Sequence, residues 1–176
     1  MNPKTIQTAY IKNKKILLRV DFNVALENGK SREFFKIKAV KETLDYLISC
    51  GAKVALLSHL GRPEGKINPE FSLSQIKEDI ENILGVHTIF MDDCLDKKIL
   101  FKLDNLGEKE VLLLENVRFY PEEEKNEEYF AEKLASGFDI FVNEAFSVCH
   151  RDQASVTGVT KFLPSFAGFW LQKEIE

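Results

Sequence analysis

The sequence predicts an α/β domain built on a doubly wound parallel β-sheet, with helices on both faces. Three observations lead there. Short, nearly uninterrupted apolar runs recur along the chain, stretches of helical period separate them, and polar and cationic residues follow four of the runs. A run without polar alternation marks a strand covered on both faces, and such strands alternating with helices mark a parallel sheet in three layers.

The elements follow in order. Residues 16–20 (Ile16, Leu17, Leu18, Arg19, Val20) are short and apolar enough for a buried strand. Ile37, Val40, Leu44, Leu47 and Ile48 then recur at helical spacing and stop at Gly51. Residues 54–57 form a second strand. Leu73, Ile76, Ile80, Ile83 and Leu84 make the next helical stripe, with Ser72 as cap, Gln75 at the capping-box position and Gly85 as stop. A weaker strand over 88–90 precedes a helix over about 93–106, which ends at Gly107. Residues 111–114 are a strong strand. Asn126 is a candidate cap for a helix carrying Tyr129, Phe130 and Leu134 and ending at Gly137; residues 138–142 are the last strand. Residues 167–176 read as a helix beginning rather than ending. The three glutamates of 121–126 read as a solvated loop, and no internal repeat or low-complexity linker is found.

Bulk properties narrow the function. A chain of 176 residues suits one domain, able to bury roughly 70% of its unfolded surface. The formal net charge of -4 gives no support to a general nucleic-acid or membrane role. Cys50, Cys94 and Cys149 are too few and too scattered for a zinc site or a disulfide framework, which favours a reducing cytoplasm. No apolar run approaches a signal peptide or a membrane span.

The chemistry concentrates where four strands end. The segments are Arg19-Val20-Asp21-Phe22-Asn23, Ser58-His59-Leu60-Gly61-Arg62-Pro63, Glu115-Asn116-Val117-Arg118-Phe119, and 142–151 with Asn143, Glu144, Ser147, Cys149, His150 and Arg151. In a parallel sheet the carboxyl ends lie on one side, where open α/β folds bind ligands. Four arginines and two of the three histidines therefore converge, which points to a small polyanion. Each residue also has a plain alternative. A lone arginine is usually solvated or paired, Asp21 and Asn23 are common turn formers, Cys149 is more often a small buried apolar residue, and His87 is structural or exposed. Recurrence at four strand ends outweighs these alternatives. Gly61-Arg62-Pro63-Glu64-Gly65-Lys66 has one residue too few between its glycines for a phosphate-binding P-loop, and Ile67 replaces the metal-binding hydroxyl. Dinucleotide, nucleophile-elbow and zinc-protease motifs are absent from the sequence.

In sequence and order, these four segments resemble the signature motifs of phosphoglycerate kinases, and Ala167-Gly168-Phe169 with Lys173-Glu174 resembles the entry to that family's interdomain helix. The resemblance spans essentially all of residues 1–176. It implies a Rossmann-like, N-terminal, substrate-binding lobe of a two-lobed enzyme that interconverts 1,3-bisphosphoglycerate plus ADP with 3-phosphoglycerate plus ATP. By the same resemblance Asp21 and Asn23 meet the glycerate, His59, Arg62, Arg118 and Arg151 hold carboxylate and phosphate, and Arg19 and His150 add to the basic patch. Lys36 stands where the family carries an arginine that reaches the transferring phosphoryl group; Lys38 and Arg32 are neighbouring cations. Lys36 and Arg19 are thus the candidate catalytic residues. Mg-ATP or ADP is implied for the complete enzyme, bound by a nucleotide lobe beyond this chain; this lobe itself is expected to hold no cofactor or metal and to be inactive alone. Ala25, Glu144, Ser147, Val148 and Gln153 depart from the family's proline, aspartate, glycine, threonine and histidine. These departures keep open a second reading, a degenerate stand-alone binding or interaction protein.

Overall fold

Every apolar run of the sequence becomes a strand because both of its faces are covered. The computed structural model describes residues 4–27, 30–31 and 33–176. The chain forms β1 (Lys15–Arg19), a small antiparallel ribbon of β2 (Leu26–Glu27) and β3 (Lys30–Ser31), then α1 (Phe34–Ala39) and α2 (Lys41–Ser49). There follow β4 (Lys53–Leu57), α3 (Lys77–Leu84), β5 (His87–Met91), α4 (Ile99–Asp104) and β6 (Glu110–Leu114). The rest comprises α5 (Pro121–Glu124), α6 (Glu128–Ala135), β7 (Ile140–Asn143), β8 (Ser165–Ala167) and α7 (Phe169–Ile175). The main sheet has six strands in the order β5-β6-β4-β1-β7-β8, all parallel. This is the doubly wound, Rossmann-like αβα arrangement that the sequence predicts.

Successive residues of the strands feed two cores. Ile16, Leu18, Val54, Leu56, Val111, Leu113 and Val142 face one layer with Ile37, Leu44, Leu47 and Ile80. Leu17, Ala55, Leu57, Leu112, Leu114 and Phe141 face the other with Leu103, Phe130 and Leu134. Each fully buried leucine, isoleucine or valine contributes roughly 1.5–3 kcal/mol, so the central strands anchor the fold. Their carboxyl ends, in the spatial order β6-β4-β1-β7, are the four polar segments.

Several local expectations are corrected. The 37–48 helix is two helices, because the Val40 N–H bonds the Ile37 carbonyl at 3.2 Å and tightens one turn. Ser72 does accept from the Ser74 N–H, but Gln75 sends its amide back to the Pro69 and Glu70 carbonyls rather than to the Ser72 N–H that a capping box requires. The 93–106 helix shrinks to Ile99–Asp104, since the carboxylates of Asp93 and Asp96 close local turns onto the N–H groups of Leu95 and Lys98. Asn126 does not cap α6: it sits at φ 53° and donates to Asp152 and Thr157. The acidic run is not simply solvated, because Glu123 is fully buried in α5. Cys149 is exposed, not buried. Sequence analysis missed β8, a three-residue edge strand carried by its pairing to β7.

Candidate functional site

Ser58 ties the ends of β1 and β4 together. Its hydroxyl donates to the Val20 and His59 carbonyls and accepts from the Phe22 N–H at 2.9 Å. Asn23 then receives the Gly61 N–H on Oδ1 at 2.8 Å, and the Gly61 carbonyl accepts from Arg118 Nη1 at 3.1 Å. Only glycine suits position 61: φ is 63°, and a Cβ there would lie 2.3 Å from the Phe71 ring. Asn116 closes the frame by donating to the Leu60 and Phe71 carbonyls and accepting from the Arg118 N–H. Three of the four segments are thus locked by short polar side chains at the strand ends.

The cations on this frame have different fates. Arg19 has no exposed surface; its guanidinium donates to Ser155 Oγ, the Val20 carbonyl and His59 Nδ1, the last at 3.1 Å. Burial lowers its pKa, against the opposing charges of Glu123 and Asp21. Each of the three guanidinium nitrogens of Arg19 thus has a partner inside the protein. His59 is also buried. Burial, then the positive charges of Arg19, Arg118, Arg151 and Lys36, push its pKa far below the ordinary 6.5. It therefore enters the site as a neutral imidazole rather than as a cation.

Arg118 is 4% exposed, and its Nε and Nη2 have no hydrogen-bond partner. The carboxylate of Glu124 stands 3.7 Å from Nε, and the charge of Glu123 also acts on the group. Burial lowers the Arg118 pKa, with Arg151 and Arg62 adding to the effect and Glu124 opposing it. Arg151 is half-buried with an unpartnered Nε, while Arg62 and His150 are exposed. Buried guanidinium donors without acceptors are costly unless a ligand supplies them.

Beside this basic patch lies an open cleft of ≈ 200 Å³, walled by Asp21, Lys36, Ser147, Phe35 and Trp170 among others. Lys36 donates to the Asn23 carbonyl at 2.6 Å and stands 3.9 Å from Asp21 and 3.4 Å from Glu33. Asp21 accepts the Asn23 N–H on Oδ1 and the Ser147 hydroxyl on Oδ2 at 2.8 Å. It is therefore both a turn former and a wall of the cleft. Val148, which departs from the family's threonine, packs with Ala145 and Val156. Lys38 is exposed, and Arg32 lies outside the described residues. Sequence reasoning overlooked Glu123 and Ser155. Nothing in three consecutive glutamates marks the middle one as buried, and Ser155 follows the fourth segment without any feature of its own.

A family model described as phosphoglycerate kinase matches residues 6–176. The chain belongs to the phosphoglycerate kinase family. The phosphoglycerate kinase of Moorella thermoacetica is 46% identical over 172 residues, covering 98% of this chain and 44% of that protein. That of Pelotomaculum thermopropionicum is 43% identical over 176 residues, covering 100% of this chain and 45% of its own. Among solved structures, the phosphoglycerate kinase of Coxiella burnetii superposes with a TM-score of 0.86 at 33% identity, over 99% of this chain and 43% of that one. The Pyrococcus horikoshii enzyme gives 0.87 at 32% identity, over 98% and 44%. The chain thus spans less than half the length of the phosphoglycerate kinases it matches. Among the described residues no helix is long and apolar enough to cross a membrane.

Proposed function

We propose that residues 1–176 are the substrate-binding lobe of a cytoplasmic phosphoglycerate kinase, holding 3-phosphoglycerate or 1,3-bisphosphoglycerate for phosphoryl exchange with ATP or ADP. The observation that carries this reading is Arg118, whose Nε and Nη2 are buried without hydrogen-bond partners among Arg62, Arg151 and the neutral His59. A phosphate or carboxylate fits a guanidinium fork in two parallel bonds. Arg62, Arg118, Arg151 and His150 take the anionic ends, His59 donates an N–H, and Asp21 and Asn23 meet the glycerate. Lys36 brings its positive charge toward the transferring group. Such a transfer needs positioning and charge neutralisation more than covalent help.

The second substrate, a magnesium nucleotide, does not fit the residues here. Gly61 to Lys66 leads into a short 3-10 turn capped by Asn68 rather than a helix N-terminus. The nucleotide therefore belongs, in this reading, to the part of the relatives that this chain does not span, and the lobe alone transfers no phosphate.

Calorimetric titration with 3-phosphoglycerate, using sulfate as a charge control, tests the reading. Saturable binding that exceeds sulfate and falls at least tenfold in Arg118→Ala is expected. Equal binding of the two anions would defeat it. One observation favours the degenerate-binder alternative: Lys36 is already engaged by Asn23, Asp21 and Glu33. Adding a nucleotide-binding lobe from a relative separates the two, since only the kinase reading expects turnover.

A further inference from the structure

Behind the ligand face runs a line of buried polar contacts that reaches from α5 to His59. Glu123 has no exposed surface, and its carboxylate accepts the Ser155 N–H at 2.8 Å and the Ser155 hydroxyl at 2.5 Å. Ser155, also fully buried, accepts from Arg19 Nε at 2.9 Å. Arg19 Nη2 ends on His59 Nδ1 at 3.1 Å. The direction of every bond is fixed by chemistry. A guanidinium has donors only, so Nδ1 of His59 must accept. The remaining proton of the neutral ring then sits on Nε2. Because the Ser155 hydroxyl proton goes to Glu123, its oxygen lone pair is left for Arg19, and the chain is consistent from end to end.

We propose that Glu123, Ser155 and Arg19 are positioning residues that lock His59 as its neutral Nε2–H tautomer, so that the bound anion meets an imidazole N–H whose orientation is set in advance. The function of the donor rests on the substrate reading above; the lock itself does not. The charges that act most on the ring are those of Arg19 from β1, Arg118 from the turn after β6, Arg151 from the loop after β7 and Lys36 from α1. All are cationic, and a second positive charge on His59 would oppose each of them. Glu123 stands behind Arg19, where its negative charge opposes the effect of burial on the guanidinium. A mobile or protonated histidine would have to reorganise when the ligand arrives. A locked donor does not.

The test is nitrogen-15 NMR of the ligand-free chain labelled at histidine, with His59 assigned by its loss in His59→Gln. A single Nε2–H tautomer, unchanged between about pH 7.5 and 5.5, is expected. A tautomer mixture, an Nδ1–H ring or an imidazolium at neutral pH would overturn the proposal without any variant. Glu123→Gln, which keeps the shape and removes the charge, and Ser155→Ala are each expected to mix the tautomers and weaken 3-phosphoglycerate binding roughly 5- to 10-fold. Glu123→Asp is expected to restore part of both signals. Variants that fold and leave the His59 spectrum unchanged would overturn it. If the spectra respond as expected but 3-phosphoglycerate does not bind, the lock stands and the substrate reading fails.

Discussion

Arg118 separates charge from shape more cleanly than any other residue of the site. Arg118→Lys keeps a cation but loses the planar fork, so 3-phosphoglycerate affinity is expected to fall about 10- to 100-fold while sulfate binding changes less. Calorimetry on both anions checks this. Ser147 offers the opposite case. Its hydroxyl occupies Asp21 Oδ2, so Ser147→Gly is expected to free that oxygen and tighten binding by up to about tenfold. A weaker-binding variant would place the hydroxyl among the ligand contacts instead. The types and positions of these residues were legible in the sequence, down to the basic strand ends. Their engagement was not. Arg19 and Arg118 look alike in their motifs, yet one has all three nitrogens hydrogen-bonded, to Ser155, Val20 and His59, and the other has two without a hydrogen bond.

At the scale of elements, α7 is held by its first turn. Glu144 accepts the N–H groups of Trp170 and Leu171, and Thr43 from α2 both donates to Glu144 and accepts the Phe169 N–H. Carboxylates suit helix N-termini because they complete unpaired N–H groups and face the positive end of the dipole. Gly168 makes room for it, since a Cβ there would lie 2.2 Å from Glu144 Cδ. Gly168→Ala is therefore expected to displace Glu144, cost about 1–3 kcal/mol and shift the fluorescence of Trp170, which packs edge-on against Phe35 of α1. Denaturant melts with unchanged stability would show that α7 is held by other contacts. Helical periodicity announced α7 in the sequence, but not its tether. Likewise the stripe from Ile37 to Ile48 gave the helical content without the break at Val40, because periodicity registers the buried face and not a single tightened turn.

The molecule as a whole couples the site to stability. Ligand at about 100 times its Kd stabilises a one-site protein by roughly 2.7 kcal/mol, so 3-phosphoglycerate is expected to raise the melting temperature by about 5–10 °C. Sulfate at the same concentration should raise it less. The pH dependence has a defined sign. The folded-state pKa of His59 is depressed from 6.5, so below that value the unfolded chain binds a proton that the folded chain refuses. Stability then falls as the pH falls. His59→Gln is expected to flatten this slope by up to about 1.4 kcal/mol per pH unit between about pH 6 and 5. Glu123 and Glu144 act oppositely, because burial raises their pKa values and their contribution is lost as pH rises. Comparing the variant with the parent chain cancels both.

The sequence by itself determined the parallel sheet, the layer of helices on either face and the gathering of basic residues at one edge. These follow from local signals: an apolar run is readable over five residues, and the strand–helix alternation places all carboxyl ends on one side. Only the tertiary structure decided which cations are free. Ser155 reaches Arg19 across 136 positions, and Glu123 reaches Ser155 across 32. Such contacts leave no periodic trace in the chain. Burial then settles the rest, because removing a charge from water makes the presence or absence of one partner decide whether a donor is structural or waiting for a ligand.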